Sequence, residues 1–139
     1  MRAVSSSPPA RHSRLAAKRA ALAKGRAAEE AAVAFLRVQG YEILWQNLRL
    51  GRDELDVVAR QGDVLVVVEV RHRGEGAFTG GFASVDHVKQ KHLLRATRAL
   101  LRGPARTLSG LTRCRIDVLD VLLGPEGPEV RHAEAAVTA

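Results

Sequence analysis

The chain has 139 residues and a formal net charge of +7, which together predict a single basic domain. Its one cysteine, Cys114, excludes an internal disulfide and fits a reducing compartment, the cytoplasm. No apolar run approaches about 18 residues, so we expect no transmembrane helix. The Arg-rich N-terminus lacks the apolar segment that a secretory signal requires.

The excess positive charge lies in residues 1–26, which carry seven Lys or Arg and no acidic residue. In residues 27–139 the basic and acidic residues cancel. A basic arm attracts polyanions, most often nucleic acid, but a solvated, disordered tail explains the same charge. The arm has no bulky aromatic anchors, which argues against a membrane surface as its partner.

Hydrophobic periodicity and turn signals predict two helices and four or five strands. We expect disorder over residues 1–13 and fraying over residues 133–139. The predicted elements are a helix at 14–39, strands at 41–50, 54–60 and 64–73, a helix at 85–102, a strand at 113–123 and a short strand at 129–132.

This order of elements, α-β-β-β-α-β-β, predicts an α/β fold for residues 14–132. The run at 64–68 is apolar without alternation, which is typical of a central strand that is covered on both faces. Hairpin-connected strands followed by a crossover helix imply a mixed sheet with a helix on each face. Within the later strand, Arg115 and Asp117 share a face and are expected to pair or to brace the sheet.

Carboxylates border the most apolar part of this sheet. Asp56 lies on the second strand and Glu69 on the third, so a hairpin between the two strands brings the two acids together. Buried strands exclude carboxylates unless these are paired or bind a metal. Mg²⁺ binds hard oxygen ligands, which Asp56, Glu69 and the carbonyl of Val70 would supply, and Glu29 on the inward face of the first helix is a third candidate. The alternative is a strand-end salt bridge with Arg71 or Arg73.

The second helix carries two sets of basic residues. Lys89 lies on the inward face and points toward the sheet, where it is a candidate for stabilising charge on a phosphate. The outward face carries a stripe that either contacts phosphate or is simply solvated: Lys91, Arg95, Arg98 and Arg102. The Gly-rich segment 74–82 lacks the ending of a P-loop. It is open whether this segment orders on DNA or packs against a second subunit in a homodimer.

Several short stretches follow one another in a recognisable order between Gly25 and Asp120. They are Gly25…Glu29…Ala32…Leu36, Gly40-Tyr41…Asn47-Leu48-Arg49, Glu54-Leu55-Asp56, Val68-Glu69-Val70-Arg71-His72-Arg73, Lys89-Gln90 and Arg115-Ile116-Asp117-Val118. In this order they resemble the YraN family, which is similar to the restriction-endonuclease-like (PD-(D/E)xK) nucleases. The resemblance implies a restriction-endonuclease-like core in which Asp56 and Glu69 hold Mg²⁺ or Mn²⁺, with Glu29 and Glu54 nearby.

The chain departs from the family's motif at Arg71, where the motif has a lysine. Arginine can stabilise a phosphate but stays protonated, so it cannot act as a general base. The resemblance therefore predicts a metal-dependent nuclease acting on DNA, with Arg71 or Lys89 stabilising the phosphate. Two alternatives stay open: a non-catalytic DNA-binding protein with a degenerate site, and a protein-interaction module with a basic tail. RNA is also open as the nucleic acid.

Overall fold

A computed structural model describes residues 11–73 and 86–137 of the chain. These residues form a five-stranded mixed sheet in the order β1-β2-β3-β4-β5, which confirms the predicted α/β fold and order of elements. The elements are α1 (Arg11–Val38), β1 (Glu42–Leu50), β2 (Asp53–Gln61), β3 (Val64–Arg73), α2 (His87–Arg102), a 3-10 turn (Pro104–Thr107), β4 (Arg113–Gly124) and β5 (Gly127–Val137).

Strand β3 is the centre of the sheet, as its unbroken apolar run predicts. Val64, Val66 and Val68 pack under α1, while Leu65 and Val67 pack under α2. All five side chains are buried. The sheet therefore separates two hydrophobic cores, one for each helix. A polar side chain in the buried part of β3 is unusual, because both faces of this strand are covered.

The connections bring the end of β3 close to the beginning of α2. Strands β2 and β3 form an antiparallel hairpin around Gly62, whose φ of +61° suits a glycine. Strand β4 then runs parallel to β3, and α2 lies on the crossover between them. Asp86 caps α2 by accepting a hydrogen bond from the Lys89 N–H at 2.9 Å. This cap fixes the first turn of α2 near the carboxyl end of β3.

A buried polar network braces the sheet beneath the C-terminal half of α1. Asp117 is completely buried and accepts hydrogen bonds from the Nε of Arg115 at 3.0 Å and the N–H of Ala135 at 2.9 Å. Its other oxygen lies 2.7 Å from the Nε2 of His132, and Arg115 also donates to the Tyr41 hydroxyl at 2.6 Å. Arg115 and Asp117 pair as expected.

Two boundaries differ clearly from the predicted ones. Helix α1 begins at Arg11, so residues 11–13 are helical and not disordered; Ala and Arg propensity continues the helix. Strand β5 runs to Val137, so the prediction that 133–137 are frayed is wrong. A bulge opposite Ile116, where Ala135 has a φ of +50°, lets β5 continue until Val137 is buried. The predictions for 1–10, 74–85 and 138–139 lie outside the described residues.

Neither helix within residues 11–73 and 86–137 combines the length and the apolar character needed to cross a membrane. Helix α1 has 28 residues, but Lys and Arg interrupt its apolar positions.

Candidate active site

Two carboxylates meet where the pairing of β2 and β3 ends. The last paired residues are Val57 and Val68, and Asp56 and Glu69 are the next residues on the two strands. The Val70 N–H donates to Asp56 Oδ2 at 2.9 Å, and the carboxyl groups of Asp56 and Glu69 are within hydrogen-bonding reach of each other. Glu69 is buried, with only 6% of its surface exposed.

The electrostatic state of this pair is unusual. Burial, followed by the negative charge of Glu69, raises the pKa of Asp56 to about 7, and the single hydrogen bond from Val70 does not offset these effects. Asp56 and Glu69 therefore repel each other when both are ionised. A nearby cation would stabilise the doubly ionised pair.

Lys89 supplies one such cation. Its Nζ lies 3.0 Å from Glu69 Oε1, so α2 carries the ammonium group to the carboxylates that the hairpin assembles. Burial opposes the charge of Lys89, but the hydrogen bond and the charge of Glu69 outweigh it, so the pKa of Lys89 is raised. About half of the Lys89 side chain remains exposed, so the ammonium group is accessible from solvent.

These groups open into a cleft of about 420 Å³ that Glu29 and Glu54 also line. Glu29 reaches the cleft from α1, and burial followed by the nearby carboxylates raises its pKa against a hydrogen bond from Asn47. Glu54 is exposed and lies 3.8 Å from Arg49.

Two further polar residues lie in or beside this cleft and were not predicted as site residues: His92 lines it, and Asn47 contacts Glu29. Asn47 turns toward Glu29 from a strand position with a φ of +51°, a conformation that asparagine tolerates better than most residues. His92 lines the cleft one helical turn after Lys89 on α2. The three-residue spacing from Lys89 could have placed His92 on the same side of α2. Nothing in the sequence indicated the positive φ at Asn47.

Arg71 lies on the same face of β3 as Glu69 but is directed to the neighbouring strand. Its Nε donates to Asp120 Oδ1 at 2.9 Å, and the Nε of Arg73 reaches the same oxygen at 3.2 Å. Asp120 is buried and forms ion pairs with both arginines. The expected alternative of a salt bridge between Arg71 and the site acids is not what the structure shows; the parallel register places Asp120 directly beside Arg71.

The predicted outward stripe of α2 also needs a correction. Arg95 is not a freely solvated cation, because its guanidinium makes a two-pronged ion pair with Asp53 at 2.7 and 2.6 Å. Asp53 begins β2 beneath α2, a long-range proximity that helical spacing does not reveal. The other members of the stripe are exposed, namely Lys91, Arg98 and Arg102.

The oxygen ligands at the cleft suit a small, hard cation that keeps part of its water shell. They do not suit a cation whose ligands all come from the protein. Within residues 11–73 and 86–137, no group of three or more His, Cys, Asp or Glu side chains is placed to hold one metal ion. Glu29 therefore does not join Asp56 and Glu69 in a three-carboxylate cluster. Mg²⁺ typically uses one or two carboxylates and keeps several waters, so the repelling pair of Asp56 and Glu69 fits its requirements.

Sequence comparison places the chain in a family. The model of the family described as "Uncharacterised protein family UPF0102" matches residues 28–121, which contain every residue of the cleft. The chain belongs to UPF0102. The resemblance to the YraN family is thereby confirmed.

Three UPF0102 proteins illustrate the similarity. That of Sorangium cellulosum is 42% identical over 105 residues, covering 76% of this chain and 73% of its own length. That of Symbiobacterium thermophilum is 42% identical over 104 residues, covering 74% and 85%. That of Pseudomonas aeruginosa is 42% identical over 98 residues, covering 70% and 77%.

Among solved structures, that of Pyrococcus furiosus SfsA in complex with Ca²⁺ is similar to this chain. The match covers 86% of this UPF0102 chain and 65% of the SfsA chain, with a TM-score of 0.38 and 13% sequence identity.

Proposed function

We propose that this UPF0102 protein is a metal-dependent, nuclease-like protein that acts on phosphodiester bonds of nucleic acid, with DNA as the expected substrate. The observation that carries the proposal is the pair of half-buried Asp56 and buried Glu69, with Lys89 Nζ at 3.0 Å from Glu69 and with Asp56 and Lys89 lining an open cleft. A structural salt bridge needs only one acid and one base. Here two acids face each other with a single half-exposed lysine.

The excess negative charge is the reason to propose a divalent cation. Asp56 and Glu69 would hold Mg²⁺ or Mn²⁺, with the carbonyl of Val70 as the third protein ligand. When bound, such a cation activates water and stabilises negative charge on a phosphate. Glu29 lies outside the carboxylate pair but inside the cleft, so in this proposal it orients water at the site from the side of α1.

Lys89 takes the role that the motif lysine has in the resembling nucleases. Its ammonium group is beside Glu69 and half exposed, so it can contact a phosphate oxygen in the cleft while holding the carboxylate in place. Arg71 is held by Asp120 and is proposed to set the position of β3. The charge that stabilises the reacting phosphate would thus come from Lys89, not Arg71.

Cleavage of labelled linear duplex, single-stranded and four-way-junction DNA with Mg²⁺ or Mn²⁺ tests this function. We expect metal-dependent cutting that falls at least about 100-fold in Asp56→Asn and in Glu69→Gln. Asp63→Asn is the matched control, because it removes the same charge at the exposed β2–β3 turn. Glu30→Gln is the control for Glu29→Gln, since Glu30 is the exposed neighbour. Equal activity in Asp56→Asn and Asp63→Asn would contradict the proposal.

A second candidate is a nucleic-acid-binding protein that has the nuclease fold without turnover. It is favoured by one observation, the engagement of Arg71 with Asp120 where the family motif has a lysine. In that case wild-type protein binds DNA but does not cut it, and Arg71→Lys restores metal-dependent cutting. Cutting by the wild type, with no gain in Arg71→Lys, would exclude this candidate.

A further inference from the structure

The N-terminal half of α1 is exposed to solvent in the part of the chain that the structure describes. Every side chain from residue 13 to residue 24 is exposed, including Leu15 at 55% and Leu22 at 58%. Buried side chains of α1 begin only at Ala28. The family match also begins at residue 28, so this arm, defined as residues 11–27, extends beyond the UPF0102 domain.

The register of α1 aligns part of the arm with the candidate active site. Arg26, Leu22 and Lys18 precede Glu29 by 3, 7 and 11 residues, which at about 100° per residue places them within roughly 60° of its direction. Leu15, 14 residues before Glu29, continues the same stripe. Because Glu29 lines the cleft, this stripe points to the side of the molecule from which the cleft opens.

The charge of the arm selects among the partners that an exposed helix can have. The arm contains Lys and Arg but no acidic residue, so pairing with the arm of a second copy would bring only like charges together. Two leucines without an aromatic anchor are a weak basis for insertion into a membrane surface. A polyanion satisfies the charge, and the leucines then cover the stems of the neighbouring cations.

We infer that the arm is a nucleic-acid docking element whose stripe of Lys18, Leu22 and Arg26 lies along the phosphate backbone leading into the cleft. Eleven residues of helix span about 16 Å, so Lys18 would contact the backbone roughly five base pairs from the phosphate at the site. This inference rests on the proposed function for the location of the substrate. The arm itself acts in binding and needs no chemical step.

Salt-dependent binding of a labelled 20-base-pair duplex to the full chain tests the inference. The stripe variant Lys18→Gln/Arg26→Gln is compared with the control Lys24→Gln/Arg37→Gln, which removes the same charge from the opposite side of the arm and from the far end of α1. Glutamine preserves helix propensity, and circular dichroism checks that each variant is folded.

We expect the stripe variant to lose about two units of slope in log K against log salt and roughly tenfold or more in affinity at 0.1 M salt. The control is expected to stay within about threefold of wild type. Equal losses in stripe and control variants would overturn the inference while leaving the proposed function standing. Absence of salt-sensitive binding by the wild type would overturn both. A dimer that dissociates in Leu15→Ala/Leu22→Ala, without a change in DNA affinity, would also overturn it.

Discussion

The two faces of the sheet each bury an acid cluster, and the clusters are opposites. Asp117 is completely buried, yet hydrogen bonds from His132, Arg115 and Ala135 outweigh the effect of burial and lower its pKa. Asp56 is only partly buried, yet burial and the charge of Glu69 raise its pKa to about 7. Burial acts to raise the pKa of both carboxylates, and the hydrogen-bond donors around each one decide whether that effect is outweighed.

This difference separates a structural acid from a candidate functional one. The donors of the network around Asp117 are directed at its carboxylate, whose hydrogen bonds are therefore satisfied. The pair of Asp56 and Glu69 has one backbone donor and one lysine for two carboxylates, in a cleft that solvent can enter. Two carboxylates that repel each other beside an accessible cleft mark a candidate functional site.

Asp117→Asn is expected to have the largest effect on stability. It leaves Arg115 without its buried anionic partner, so we expect a loss of about 3 kcal/mol in the free energy of unfolding. Urea denaturation at pH 7 measures it. Glu126→Gln, in the exposed β4–β5 turn, is the charge-matched control and should be within about 0.5 kcal/mol of wild type. A loss under 1 kcal/mol for Asp117→Asn would mean that this network does not brace the fold.

In contrast to Asp117→Asn, Asp56→Asn is expected to reduce the loss of stability that accompanies a rise in pH. Its folded pKa of about 7 lies above the ordinary value of 3.8, so its stabilising contribution is complete below pH 4 and is lost as the pH rises through 7. In metal-free buffer, the wild type should therefore lose about 2 kcal/mol between pH 5 and pH 8, and Asp56→Asn should lose much less. Urea denaturation at the two pH values measures both. Parallel profiles for wild type and variant would contradict the assignment.

The acid side of the pH profile sharpens the contrast. The folded pKa of Asp117 is lowered, so its contribution is present above about pH 4 and is lost as the pH falls below that value. We expect Asp117→Asn to flatten the acid limb of the stability curve, whereas Asp56→Asn flattens the limb above pH 5. Thermal unfolding from pH 3 to pH 8 measures both limbs. One variant flattening both limbs would show that the clusters are coupled.

Much of this contrast could be predicted from the sequence. What could not be predicted is which residues are neighbours across the sheet. Period-2 alternation and a hairpin turn were enough to bring Asp56 beside Glu69, and helical spacing was enough to aim Lys89 inward. Alternation gives the face of a strand residue but not its neighbour across the sheet. The pairing of Arg71 with Asp120 follows from the parallel β3–β4 register, which depends on the length of the crossover and not on any local pattern.

The same limit explains the other differences. Arg95 meets Asp53 because the β1–β2 turn lies under α2, a contact between residues 42 positions apart. The continuation of β5 to Val137 depends on a bulge at Ala135, and alanine gives no warning of a positive φ. Local patterns predicted the elements and their inward faces, whereas contacts between distant elements required the folded chain.

Lys89→Gln should have the smallest effect on stability. Half of the Lys89 side chain is exposed, so losing its ion pair with Glu69 should cost less than about 1 kcal/mol. Its charge lowers the pKa of Asp56, so in the variant the pH-dependent loss of stability should move to higher pH. Denaturation between pH 5 and pH 9 tests this shift. If the midpoint pH of the stability loss were the same in wild type and variant, Lys89 would not interact electrostatically with Asp56.

The most direct test is calorimetric titration of the metal-free protein with Mg²⁺ and Mn²⁺ at pH 7.5. We expect one binding site that is abolished in Asp56→Asn and in Glu69→Gln. The site should be retained in Asp53→Asn, which removes an acid at the rim of the same cleft. Circular dichroism confirms that the variants are folded. Failure of the wild type to bind either ion, or unchanged binding in Asp56→Asn, would contradict the claim that the Asp56–Glu69 pair is a metal site.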